Sequence, residues 1–204
     1  MSDLTPHSLA RILAALSGLN GPVLDLGCGT GLYARSLARA VEASGRSRVV
    51  GLDFDADAVE TARALCETEL WDIENSKESH DSSDSAPSNL VSWVVGDALS
   101  LPFADETFAG VLCVDVLHWS AHAAAFAAAW AEARRVLRPG GVLYARLLLD
   151  VRDASDPISD TWYRVEKAWF EAEGYEGCEV ALEADSAVDG RAWVTWKKPD
   201  SLGL

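Results

Sequence analysis

Residues 23–31 read VLDLGCGTG. Apolar residues interrupted by one aspartate run straight into Gly27, Gly29 and Gly31, each separated by a single residue. Glycine lets a chain turn sharply and leaves no Cβ between backbone and ligand. A helix beginning just after the loop would also point its first N–H groups at whatever binds there, and these favour an anion. Three ligands are open on this spacing: a dinucleotide pyrophosphate, a nucleotide phosphate, or a cofactor with no phosphate.

The flanking sequence supplies the strand and the helix. PVLDL (22–26) is a short apolar strand and LYARSLARAVEA (32–43) a helix. Upstream, residues 5–17 read as a helix, with Thr5 as cap, Pro6 in the first turn, and Leu9, Ile12, Leu13 and Leu16 on one buried stripe. Downstream the alternation continues. RVVGLD (48–53), LVSWVVGD (90–97), GVLCVDVL (110–117) and GVLYARLLL (141–149) are strands. ADAVETARALCETEL (56–70) and the Ala-rich run 120–137, capped by Ser120, are helices. Near-continuous apolar strands alternating with helices make a parallel sheet covered on both faces. The C-terminal part changes character. A helix starts at Asp156-Pro157, and CEVALE (178–183) and AWVTW (192–196) alternate with period two around a turn at Asp189-Gly190. The expected fold is α/β and doubly wound: a Rossmann-like, seven-stranded, mostly parallel sheet ending in an antiparallel hairpin. We expect one domain over residues 1–204, with its first helix in 1–20 and a mobile acidic insertion loop at 72–89, DIENSKESHDSSDSAPSN.

Composition narrows the function classes. The formal net charge is −15, from 32 acidic and 17 basic residues, and no Lys/Arg run forms a basic patch. Such a surface repels nucleic acid. An acidic, Lys-poor chain also suits high salt, where self-repulsion is screened. No apolar run reaches the ~20 residues of a membrane span, and the start of the chain carries no secretory pattern. The expected location is the cytoplasm, without membrane contact. Cys28, Cys66, Cys113 and Cys178 have neither metal nor redox spacing and read as reduced thiols. No His/Asp/Glu cluster has ligand spacing, so no metal is expected. Nothing in the sequence fixes the oligomeric state.

Both phosphate readings weaken on inspection. In the dinucleotide register, Gly27-Cys28-Gly29-Thr30-Gly31-Leu32, the last position holds Leu32, too large for close helix packing. The phosphate-cradling loop needs a lysine, and none is present.

VLDLGCGTG resembles the first motif of class I S-adenosylmethionine (SAM)-dependent methyltransferases. Asp53 in VVGLDFD, the region GDALSLPFADETFAGVLCVDVLHW (96–119), EARRVLRPGGVLYA (132–145) and the reversed last strands extend the resemblance in the family's order. It is strong over about residues 20–150 and similar to the small-molecule branch that includes quinone-ring C-methyltransferases. Asp115 is followed by Val116-Leu117-His118, unlike the signature of DNA-amine methyltransferases. Ala109 stands where an acidic residue is common, and the 72–89 loop is longer than usual.

The resemblance implies a cofactor, S-adenosyl-L-methionine, and a small-molecule methyl acceptor. Its carboxylate is expected near the glycine loop, including Cys28, Gly29 and Gly31, and the following helix N-terminus. Asp25 and the Gly27 carbonyl are expected at its ammonium end. Asp53 can accept both ribose hydroxyls, as an acid does in dinucleotide sites. Phe54 can cover the adenine, Asp97 accept from its amine, and the Ala98 N–H face the ring. The family places the Asp115 position beside the methionine portion. His118, just past a strand end, is the candidate general base, with Trp119 and Tyr33 as pocket walls. The competing readings are a SAM-binding regulatory or partner subunit without activity, an NAD-dependent oxidoreductase, and an enzyme using decarboxylated SAM.

Overall fold

The computed structural model describes residues 6–16, 19–42, 48–76, 91–117, 123–148, 178–182 and 191–200. In chain order these form α1 (Pro6–Leu16), β1 (Val23–Leu26), α2 (Leu32–Glu42), β2 (Val49–Asp53), α3 (Ala56–Ser76), β3 (Val91–Val95), β4 (Phe108–Val114), α4 (Ala123–Val136), β5 (Leu137–Leu148), β6 (Cys178–Leu182) and β7 (Arg191–Lys197). The seven strands make one sheet of order β3-β2-β1-β4-β5-β7-β6. The first five strands are parallel, while β7 runs antiparallel to both β5 and β6. The order reverses between β1 and β4, and in open α/β sheets ligands bind beyond the strand ends at that point.

Both faces of the sheet are covered, which is why its strands are apolar almost throughout. All seven residues of β4 are buried. On one face Leu24, Leu26, Val111, Cys113, Leu143 and Ala145 pack against Phe126 and Trp130 of α4, whose rings stack 5.9 Å apart. On the other, Val23, Val49, Leu112, Val114 and Tyr144 meet Ile12 and Leu16 of α1 and Tyr33, Ala34 and Leu37 of α2. Alternation along a strand sends successive side chains to opposite faces. Asp25, between Leu24 and Leu26, therefore points to the α1/α2 side.

The Arg138-Pro139-Gly140-Gly141 turn lies within the bounds of β5. Phe108 pairs with Leu137 and Gly110 with Val142, so the four residues between are looped out. Gly140 takes a φ of 72° there. Lys198 holds the loop through two backbone bonds, Gly140 N–H to its carbonyl at 3.0 Å and its own N–H to Gly141 at 2.8 Å. Its Nζ donates to the Leu137 carbonyl at 2.5 Å and to that of Arg134 at 3.5 Å, capping the end of α4.

One expectation needs correction. α3 continues to Ser76, six residues beyond the expected end at Leu70, so residues 72–76 of the anticipated loop are helical. No Gly or Pro occurs between Trp71 and Ala86. Polar composition alone does not stop a helix. Residues 77–89, the caps at Thr5 and Ser120, and the helix expected after Asp156 lie outside the described residues.

Candidate cofactor and active site

The glycine loop leaves β1 at the switch in strand order and enters α2. Gly27 and Cys28 both donate to the Leu52 carbonyl of β2, at 2.7 and 2.9 Å, which folds the loop over the sheet edge. Gly27, Gly29 and Gly31 all have left-handed backbones, with φ of 72°, 52° and 78°. Their surroundings differ. A Cβ on Gly27 would overlap the Val116 side chain, and one on Gly31 would overlap Trp93. A Cβ on Gly29 would meet nothing within 4 Å. Gly27 and Gly31 are thus required by packing, whereas Gly29 leaves an open cradle beside its backbone.

Two carboxylates lie close to the loop, near enough to each other and to the Cys28 thiol to interact. Asp53 ends β2 and is nearly buried. Its Oδ2 accepts the Gly29 N–H at 2.8 Å and its Oδ1 the Asp55 N–H at 3.0 Å. Each oxygen keeps acceptor capacity for a hydroxyl. Asp55 in turn caps α3, accepting from Asp57 and Ala58. Asp25 is 1% exposed. The Ala34 N–H of α2 donates to its carboxylate, yet Oδ2 makes no hydrogen bond. Burial, and secondarily the charge of Asp53, raises its pKa to about 7. A buried carboxylate oxygen without a partner is costly, and a cationic donor removes that cost. Two acids at one loop repel a pyrophosphate and suit an ammonium and a pair of hydroxyls. Arg35, the nearby cation, is tied to the Thr30 carbonyl.

The Cys28 thiol lies under the loop. Burial, with Asp25 and Asp53 close by, pushes it far above its usual range, so it stays protonated and is no nucleophile.

Beyond β2 and β3 the surface turns apolar. Among the described residues, Phe54, Val95 and Leu99 are three of the four large exposed hydrophobic side chains, Phe54 at 81%. Gly96 N–H donates to the Asp53 carbonyl at 2.8 Å, joining the two strand ends. Phe54 therefore does not pack in the core; it is a free aromatic face beside Asp53. Asp97 organises a turn, its Oδ1 accepting the Leu99 N–H at 2.8 Å and its carbonyl the Ser100 N–H at 3.1 Å. That turn presents half-buried Ala98 and exposed Leu99. Leu99 was not singled out by sequence: an exposed leucine in a polar loop gives no periodic signal.

The same loop is clipped to α4. Glu132 accepts the Leu101 N–H at 2.7 Å. Arg135 binds Glu132 through two nitrogens, at 2.7 and 2.8 Å, and donates to the carbonyls of Phe103 and Leu101 and to Asp105. The hydrogen bonds from Arg135 hold the Glu132 carboxyl below its usual value.

Asp115 is the first residue beyond β4 and takes a left-handed φ of 58°. Its carboxylate is held by Arg146 of β5, Nε to Oδ1 at 2.9 Å and Nη2 to Oδ2. His118 and Trp119 lie outside the described residues. The structure thus brings Asp25, Gly27, Cys28, Gly29, Gly31 and Asp53 together, sets Phe54, Asp97 and Ala98 on the adjoining edge, and puts Asp115 at the end of β4.

A family model described as a methyltransferase domain matches residues 24–145. The sterol 24-C-methyltransferase ERG6B of Gibberella zeae is 30% identical over 152 residues, covering 74% of this chain and 33% of that protein. The 2-phytyl-1,4-naphtoquinone methyltransferase of Thermosynechococcus vestitus is 42% identical over 88 residues, covering 43% of this chain and 30% of that one. Among solved structures, a SAM-dependent methyltransferase of Methanosarcina mazei superposes with a TM-score of 0.63 at 20% identity, covering 97% of this chain and 99% of that one. The [4+2]-cyclase SpnF superposes with a TM-score of 0.68 at 19% identity, covering 95% and 81%. At such identities these two structures speak to the fold alone. The chain belongs to the methyltransferase domain family. It spans a third to two-fifths of the length of the curated relatives that align over most of it. The residues present fit the S-adenosylmethionine that the sequence resemblance implies: an unpartnered buried carboxylate oxygen for an ammonium, an open glycine cradle, and an acid with lone pairs to spare for hydroxyls.

Proposed function

We propose that this chain is the catalytic domain of an enzyme that moves a methyl group from S-adenosylmethionine to a small organic acceptor. The observation that carries the reading is the pairing of the buried, unpartnered Asp25 oxygen with the open cradle at Gly29, both at the switch in strand order. When bound, the cofactor supplies an electrophilic methyl on a sulfonium, open to in-line displacement.

Asp25 and the Gly27 carbonyl hold the ammonium. Gly29, Gly31 and the start of α2 face the carboxylate, with Cys28 as inert packing. Asp53 accepts the ribose hydroxyls and keeps the loop in place through Gly29. Phe54 and Leu99 cover the adenine faces, while Asp97 and the Ala98 N–H face its edge. Asp115 bounds the methionine end. His118 takes the acceptor's proton where the acceptor is an acid, and Trp119 shapes the pocket, while Tyr33, expected as a second wall, is buried in the core beneath α2. The protein's main contribution is alignment and exclusion of water, and alignment alone is worth up to about 7–11 kcal/mol in the best cases. The sterol and quinone named in two relatives support a small-molecule acceptor. The acidic composition supports an acceptor other than nucleic acid. Among the described residues no helix is long and apolar enough to cross a membrane. We extend the reading to one domain over residues 1–204 working in the cytoplasm. The single sheet shared by all described strands supports the first part.

The test is transfer of labelled methyl from S-adenosylmethionine into a panel of sterols, quinones and phenols, with Asp53→Ala as control. We expect labelled product from the wild type. The variant should lose about 2–4 kcal/mol of cofactor binding with the loss of two charge-assisted bonds. Cofactor binding without transfer to any acceptor would contradict the catalytic reading, and an Asp53→Ala variant as active as wild type would contradict the ribose assignment.

A further inference from the structure

Arg146 is 2% exposed, an unusual position for an arginine, and sits opposite Val114 in the β4–β5 register. Its guanidinium binds both oxygens of Asp115. It also donates to the Tyr33 hydroxyl at 3.5 Å and lies 5.4 Å from the centre of the Trp193 ring. The main chain adds one bond, Asp115 N–H to the Arg146 carbonyl at 3.1 Å. Asp115 is held in the left-handed region, which aspartate tolerates better than most residues but which still carries a cost that glycine does not, so it persists where the surroundings favour it. The next residue, Val116, is the side chain that closes on Gly27 at the start of the cofactor loop.

These contacts form one line. Arg146 fixes the Asp115 carboxylate, and the carboxylate fixes the left-handed turn. The turn seats Val116 on Gly27, and Gly27 is where the loop leaves β1. The geometry points to Arg146 as a positioning residue for the cofactor loop, acting through the main chain of Asp115. The Asp115 side chain is then the clamp of the turn rather than a ligand for the cofactor. This inference rests on the reading of the loop as the S-adenosylmethionine site. A bidentate fork suits the task because it fixes the carboxylate in both distance and plane, and a lysine supplies only a point charge.

The test compares Arg146→Met, Arg146→Lys, and Arg146→Met combined with Asp115→Gly, each by melting and by calorimetric titration with S-adenosylhomocysteine. We expect Arg146→Met to weaken binding at least tenfold and Arg146→Lys to fall between it and wild type. The double variant should recover most of the affinity, since glycine holds a left-handed turn without a clamp. Its melting temperature should stay below that of wild type, because the Arg146 contacts to Tyr33 and Trp193 are still missing. Affinity that returns while stability does not separates positioning from a merely structural role. A folded Arg146→Met protein that binds within twofold of wild type overturns the inference, and so does a double variant no tighter than Arg146→Met. Should Arg146→Met not fold alone, the lysine and double variants carry the same comparison against wild type. Wild-type protein that fails to bind at all overturns the site reading itself, and this inference with it.

Discussion

At the scale of single residues, Asp25 carries a conflict between stability and binding. Its carboxyl is buried and holds its proton up to about pH 7, against a value of 3.8 in the open. The folded chain therefore binds one more proton than the unfolded chain across that window. Folded stability falls as pH rises through it and levels off above about 7, by up to ~4 kcal/mol from this group. Asp25→Asn removes the charge. We expect the ligand-free variant to melt a few degrees above wild type at pH 8 and to lose part of the pH dependence between 4 and 7, while its affinity for S-adenosylhomocysteine falls at least tenfold. A variant that melts lower at pH 8, or binds as wild type does, would contradict the assignment. Much of this site was legible at the residue scale. The three glycines and Asp53 are set by spacing to the ends of adjacent strands, and spacing is what a sequence displays. The role of Arg146 was not, because its partners Asp115 and Tyr33 lie 31 and 113 positions away. In the sequence Arg146 interrupts an apolar strand and gives no hint of what neutralises it.

Among the elements, the segment after β3 depends on α4. Arg135 and Glu132 bind residues 101–105 at four points, and the Asp97–Leu99 turn leads directly into the same segment. Arg135→Met leaves the Leu101 and Phe103 carbonyls and a half-buried Glu132 without their cation. We expect a loss of about 2–3 kcal/mol, seen as a melting temperature lower by roughly 5–10 °C. A several-fold weaker cofactor affinity should accompany it, because the Leu99 wall loses its support. An unchanged melting temperature would show that the clip does not hold the loop. The strands were readable because buried parallel strands are apolar almost without interruption, and β4, β5 and the last hairpin fell near their expected places. The end of α3 was not, since no glycine or proline stops it and the acidic composition that suggested a loop is compatible with an exposed helix.

Over the whole molecule, a net charge of −15 on 204 residues makes the compact state repel itself. Screening relieves that repulsion, so the melting temperature should rise between low and molar sodium chloride. A flat or falling response would show that the acidic surface has no part in adaptation to salt. The sheet order gathers residues from β1, β2, β3 and β4 at one edge. The order of motifs along the chain made that gathering legible, because right-handed crossovers leave few ways to lay such strands side by side. The central claim is that this edge holds an amino-acid cofactor rather than a phosphate. The most direct test is calorimetric titration with S-adenosylhomocysteine beside NAD. The account predicts micromolar binding of the first and none of the second; NAD binding in its place would contradict the reading of the glycine loop and of both carboxylates beside it.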